Sequence, residues 1–178
     1  MPTKLLLVLL CSLLPMRAGA AKPDESAEAV FKQLHSLVGT WEGKFADGRS
    51  HTVSYRLTAG DTVLVETWTL SRNRESLTLY SLDGTSLIAT HYCPQGNQPR
   101  LQLVGGSGRE KMSFEFRDGT NLQIKGKSHQ HAFWLRILGD NSFERSETYV
   151  ENGSTPAEIA KAASDKPVTY TRAVVESR

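Results

Sequence analysis

Short runs of alternating polar and apolar residues fill most of this chain, separated by pairs that favour turns. Val53, Tyr55 and Leu57 alternate with Thr52, Ser54 and Arg56; Met112, Phe114 and Phe116 alternate with Lys111, Ser113 and Glu115. A period of two marks a strand with one buried face. Similar patterning predicts strands over residues 41–45, 62–70, 77–82, 86–93, 100–104, 143–150 and 168–175. One or two more are expected within 122–138, with a break at Gly126. Asp47-Gly48, Gly60-Asp61, Asp83-Gly84, Asp118-Gly119, Gly139-Asp140 and Asn152-Gly153 supply the turns.

Two stretches carry a different spacing. Ala27, Val30, Phe31, Leu34 and Val38 put one apolar face on a helix over residues 24–37, with Glu25 and Glu28 at its electropositive start and Gly39 at its stop. Thr155-Pro156-Ala157-Glu158 is a capping box with proline in the first turn, and predicts a short helix to about residue 163. About ten strands joined by tight links, with no helical crossover between them, predict a mainly β chain. The preferred arrangement is an antiparallel up-and-down β-barrel with a short N-terminal helix and a short helix before the last strand. Closure of the barrel removes both exposed sheet edges.

The N-terminus bears on compartment. Lys4 precedes an apolar run over residues 5–14, Pro15 breaks it, and Ala18-Gly19-Ala20 follows. That is the form of a secretory signal peptide over residues 1–20, leaving a single domain over 21–178 that is exported to the periplasm or secreted. The run is too short for a membrane-spanning helix, and no later segment is apolar enough to cross. Cleavage removes Cys11, so Cys93 stands alone and no internal disulfide can form. It also removes Lys4 and Arg17 from the 21 basic residues, leaving 19 against 19 acidic ones. A balanced surface excludes nucleic acid as a partner, because phosphate binding needs a basic stripe.

Leu37-Val38-Gly39-Thr40-Trp41-Glu42-Gly43 resembles the opening of the lipocalin-like, or calycin-like, barrels, where a Gly-x-Trp begins the first strand after a short helix. Nitrobindin-like haem barrels share this opening more distantly. They carry their iron-ligating histidine near the C-terminus, and no histidine follows His131. Leu79-Tyr80-Ser81-Leu82-Asp83-Gly84, Thr90-His91-Tyr92-Cys93, Gly96-Asn97-Gln98-Pro99-Arg100 and His129-Gln130-His131 resemble one uncharacterised bacterial family of such barrels. The resemblance covers nearly all of residues 21–178. It implies a barrel with a central cavity and no established activity. It also implies that Trp41 packs across a closed base under a basic residue near the last strand, with Arg172 as the candidate.

Alternation selects the candidate chemistry. His129 and His131 share a face with Phe133, Leu135 and Ile137, while Gln130, Trp134 and Arg136 take the other. His91 and Cys93 share a face with Leu87 and Ala89, and Arg145, Glu147 and Tyr149 share one with Phe143. If these faces all turn inward, His91, Cys93, His129, His131, Glu147 and Tyr149 converge on the lumen as the binding set for a small apolar or amphipathic molecule. The histidines could instead be satisfied by neighbours or water at the mouth. His129 and His131 could also hold a metal with His91 or Glu147 as third ligand, and a cluster of the three histidines could make a metal-assisted enzyme; the barrel could equally be an interaction platform without a ligand. Cys93 reads as a small buried side chain, since residues i and i+2 on a strand lie roughly 6.5–7 Å apart, too far for a Cys–His dyad with His91. In a structural loop over residues 94–100, Asn97 and Gln98 would bond backbone and Arg100 would meet a carboxylate; the loop could equally be a lid at the barrel mouth. No cofactor or metal is identified by the sequence.

Overall fold

The computed structural model describes residues 26–174 apart from 46, 73 and 107–109. The leader expected over residues 1–20 lies outside the described residues. Ten strands close a barrel: β1 (Gly39–Lys44), β2 (Ser50–Thr58), β3 (Val63–Ser71), β4 (Arg74–Asp83), β5 (Ser86–Tyr92), β6 (Gln98–Gly105), β7 (Met112–Thr120), β8 (Ser128–Gly139), β9 (Ser142–Glu151) and β10 (Val168–Arg172). Each strand pairs antiparallel with its sequence neighbour, and β1 pairs with β10 to complete the ring. No helix among the described residues is long and apolar enough to cross a membrane.

Helix α1 (Ala27–Leu34) is capped by Ser26, whose hydroxyl accepts from the Ala29 amide, and a 3-10 turn (His35–Leu37) extends it. Val30, Phe31, Leu34 and Leu37 pack from this segment into the barrel's apolar core and plug one end. Helix α2 (Pro156–Ile159) has the expected capping box between Thr155 and Glu158, but stops about four residues before the position its pattern suggested.

The Gly-x-Trp opening has a physical reason at this plugged base. Trp41 is buried, and its indole N–H donates to Leu37 O at 2.7 Å. The Arg172 guanidinium lies 4.2 Å from the Trp41 ring and donates to the carbonyls of Ser36, Val38 and Asp140. One cation therefore ties the N-terminal segment to the last strand and caps the indole. Gly39 has φ +129°, and a Cβ there would lie 2.6 Å from Arg172 Nη1. A side chain would displace the guanidinium.

Two local readings change. Asp118-Gly119 does not turn the chain; both residues lie inside β7, where Gly119 pairs with Pro99. A Cβ on Gly119 would come within 2.8 Å of Pro99 Cα, so glycine here permits close strand approach, not reversal. The reversal falls at residues 121–127, and β8 begins only at Ser128, as one strand. The second change is a register shift in β8 between Gln130 and Ala132. Gln130 pairs with Tyr149 and is fully buried, whereas alternation alone assigned it to the outer face.

Candidate functional site

Because neighbouring strands alternate in direction, the C-terminal ends of β3, β5 and β9 meet the N-terminal ends of β4, β8 and β10 at the end opposite α1. A cavity of about 280 Å³ opens there, walled by Phe45, Trp68, Leu70 and Pro94 and by Arg74, Ser76, His91, Cys93, Gln95, Ser128, Glu147, Tyr149 and Asp165. A second lobe of about 480 Å³ shares Phe45, Trp68, Glu147 and Asp165 with it and adds Asp47, Arg49, Arg145, Lys166, Val168 and Tyr170.

A charged cluster forms the floor. Glu66 on β3 is fully buried and accepts from Trp68 Nε1 at 2.6 Å, Tyr80 Oη at 2.7 Å and Tyr55 Oη at 2.9 Å. Arg145 on β9 donates through Nη1 to the same carboxylate and through Nε to Glu147 Oε1 at 2.8 Å. Its guanidinium lies 4.3 Å from the Phe133 ring centroid. Burial pushes the Glu66 carboxyl up, but the Arg145 charge and three donors outweigh it and hold the group below its ordinary value. Burial and the adjacent Glu66 charge raise both Tyr55 and Tyr80 well above ordinary phenol values. The cluster is thus an ionised pair whose carboxylate is hydrogen-bonded on all sides, the condition under which a buried ion pair is tolerated. Glu66 was not singled out from the sequence, although alternation puts it on one face with Leu64 and Trp68.

The residues expected from sequence divide into two groups. His91, Cys93, Glu147 and Tyr149 all line the mouth cavity. His91 is buried, its Nδ1 lies 3.1 Å from Thr78 Oγ1, and its Nε2 has no partner among the described residues. Burial holds the His91 imidazole below its ordinary pKa, against the pull of Glu147 and Glu66. Cys93 is half-buried, and burial pushes its thiol up, so its surroundings do not favour a thiolate nucleophile. Burial first, then the neighbouring Glu147, raises the Tyr149 phenol.

His129 and His131 are placed elsewhere. His129 Nδ1 lies 2.9 Å from Asn152 Oδ1, its Nε2 lies 3.3 Å from His131 Nδ1, and both rings pack on Phe116. Neither lines either lobe of the mouth. Among the described residues, no three His, Cys, Asp or Glu side chains are placed to hold a metal ion. Asn97 donates to Ser128 O at 2.9 Å, Gln98 to Gly96 O at 3.2 Å, and Arg100 pairs with Asp118, so the loop after Cys93 is held by its own polar side chains.

No protein-family model matches the sequence, and no curated protein shows significant similarity to it. Among solved structures, the chain is similar to a protein of unknown function from the DUF3598 family of Nostoc punctiforme, with a TM-score of 0.47 and 15% identity. The match covers 79% of this chain and 49% of that one, so the chain spans about half the length of that protein.

Proposed function

We propose that the protein is an exported barrel that binds a small, largely apolar molecule at the open end of its lumen. The observation that supports this most is the composition of the mouth. Trp68, Leu70, Phe45 and Pro94 give an apolar wall, and Arg74, Ser76, His91, Glu147, Tyr149 and Asp165 are among the polar residues that line the rest. A concave space that sets converging polar groups against an apolar wall is the build expected of a small-molecule site. The floor of the site is rigid, because Arg145 is held by Glu66 and Glu147 at once. In this reading His91, Cys93, Glu147 and Tyr149 touch the ligand, and the His129–His131 pair supports the neighbouring wall through Phe116.

Native mass spectrometry of protein purified from its own compartment tests the reading. A small organic adduct that is lost on denaturation is expected, and Cys93→Trp, which places an indole in the mouth, should abolish it while the protein stays folded. Bare polypeptide mass in every preparation, together with no uptake of added apolar molecules, would end the reading.

A further inference from the structure

The ligand's chemistry follows from which buried groups at the mouth lack a partner. His91 Nε2 is one such group. The other nitrogen, Nδ1, meets the Thr78 hydroxyl, for which no other hydrogen bond is formed among the described residues. Two tautomers are open to a neutral imidazole. If Nδ1 carries the proton and donates to Thr78, both the threonine O–H and the Nε2 lone pair stay unsatisfied. If Thr78 donates to Nδ1, only the Nε2–H is left over. Burying a polar group without a partner costs on the order of 1–3 kcal/mol, so the second arrangement wins. His91 then carries an N–H donor without a partner among the described residues, on a buried ring that lines the cavity. Arg145 supplies a second one: it is 1% exposed, lines the wider lobe, and has Nη2 unpartnered.

Charge decides what kind of acceptor these donors fit. Arg145 is neutralised by Glu66, with which it is fully buried. Glu147 adds a further carboxylate at 18% side-chain exposure, and Asp165 lines the same space. Glu147 acts as a negative charge on His51, His91, Cys93, Tyr149 and Asp165, while Arg49, Arg74 and Arg145 oppose it at four of them. Arg74, Lys166 and Arg49 are the cations at the rim, and Arg49 is paired with Asp47. An anionic head drawn down to His91 would meet the Glu147 carboxylate in a partly dry cavity, which is unfavourable. A neutral oxygen meets no such opposition. A cationic head could meet Glu147 or Asp165, but it would leave His91 Nε2 and Arg145 Nη2, the buried donors without a partner among the described residues, still unpaired.

We infer that the mouth takes an uncharged small molecule whose carbonyl-type oxygen accepts a hydrogen bond from His91 Nε2–H, with its apolar body against Trp68, Phe45 and Leu70. This rests on the mouth being a ligand site at all, and the test separates the two claims. Three probes of nearly the same shape are compared by calorimetry: 2-acetylnaphthalene, 2-isopropylnaphthalene and 2-naphthoate. The ketone should bind about three- to tenfold more tightly than the hydrocarbon, the yield of one net hydrogen bond, and the carboxylate should bind most weakly. His91→Phe keeps an aromatic ring but no donor, and should bring the ketone down to the hydrocarbon's affinity. Thr78→Val, which releases Nδ1, should reduce the ketone's advantage and serves if the first variant does not fold. In histidine-selective 15N spectra of the free protein, His91 should carry its proton on Nε2, and that resonance should move with the ketone. Equal binding of ketone and hydrocarbon overturns the inference and leaves the cavity as an apolar site. The carboxylate binding most tightly, or a proton on Nδ1, overturns it as well. No binding of any probe overturns both claims.

Discussion

The two ends of the barrel use the same kinds of side chain for opposite purposes. At the base, an indole and a guanidinium are satisfied by the chain itself: Trp41 donates to Leu37 O, and Arg172 gathers the carbonyls of Ser36, Val38 and Asp140. At the mouth, an imidazole and a guanidinium are buried more deeply than Arg172, yet His91 Nε2 and Arg145 Nη2 find no partner among the described residues. Buried polar groups are normally paired, and unpaired ones call for an explanation. The base explains itself as a closure. On the proposed reading, the unpaired groups at the mouth await a ligand.

This contrast can be broken by substitution, and the largest effect is expected beneath the mouth. Arg145→Met strands the Glu66 carboxylate among Tyr55, Trp68 and Tyr80 and should cost about 3–5 kcal/mol in urea denaturation. Adding Glu66→Gln should recover part of that loss, since the double variant leaves no uncompensated charge. A single variant as stable as the wild type would mean that the pair does not hold the floor. Trp41→Ala follows closely at about 3–5 kcal/mol, because it empties a large core position. Unchanged thermal stability there would remove the base from the account. Arg172→Ala should cost less, about 1–2 kcal/mol, from the lost ring contact and carbonyl bonds.

The smallest effect should come from the mouth itself. His91→Phe should change stability by about 1 kcal/mol or less at neutral pH, because losing the Thr78 bond is offset by removing an unsatisfied N–H. Its effect on pH dependence should be clearer. Burial holds His91, His51 and His131 below the ordinary imidazole value of 6.5. A depressed imidazole is neutral in the folded state while the unfolded chain still takes up the proton. The stability it contributes is therefore present above pH 6.5 and falls as the pH drops through the folded-state value. Wild-type stability should decline on acidification below that point, and His91→Phe should decline less steeply. Identical slopes would place the titrating groups elsewhere. Export carries its own check: N-terminal sequencing of the mature protein should begin at Ala21 or within about two residues of it, and a chain retaining residues 5–14 would refute the leader.

Most of the barrel was legible because a half-buried strand writes its two faces directly into the chain. The plugged base was legible too, from the Gly-x-Trp opening and an arginine near the last strand. The mouth was legible in part. His91, Cys93, Glu147 and Tyr149 follow alternation without interruption, and all four reach the cavity. The His129–His131 pair does not, because β8 starts beside the 121–127 reversal and slips register at Gln130. Nothing in a His-x-His triplet announces a one-residue shift; it depends on pairing with β9, a relation between strands. The Asp118-Gly119 turn failed for a similar reason. A glycine that lets Pro99 approach is indistinguishable in sequence from one that lets the chain reverse.

The central claim is that the mouth is an unfilled binding site and the base is not. A crystal structure of the protein soaked with 2-acetylnaphthalene tests it most directly. The account predicts density for the probe between Trp68 and Glu147, its oxygen within hydrogen-bonding distance of His91 Nε2, and an unchanged Trp41–Arg172 base. A mouth closed by its own side chains, or a probe seated anywhere else on the barrel, would contradict it.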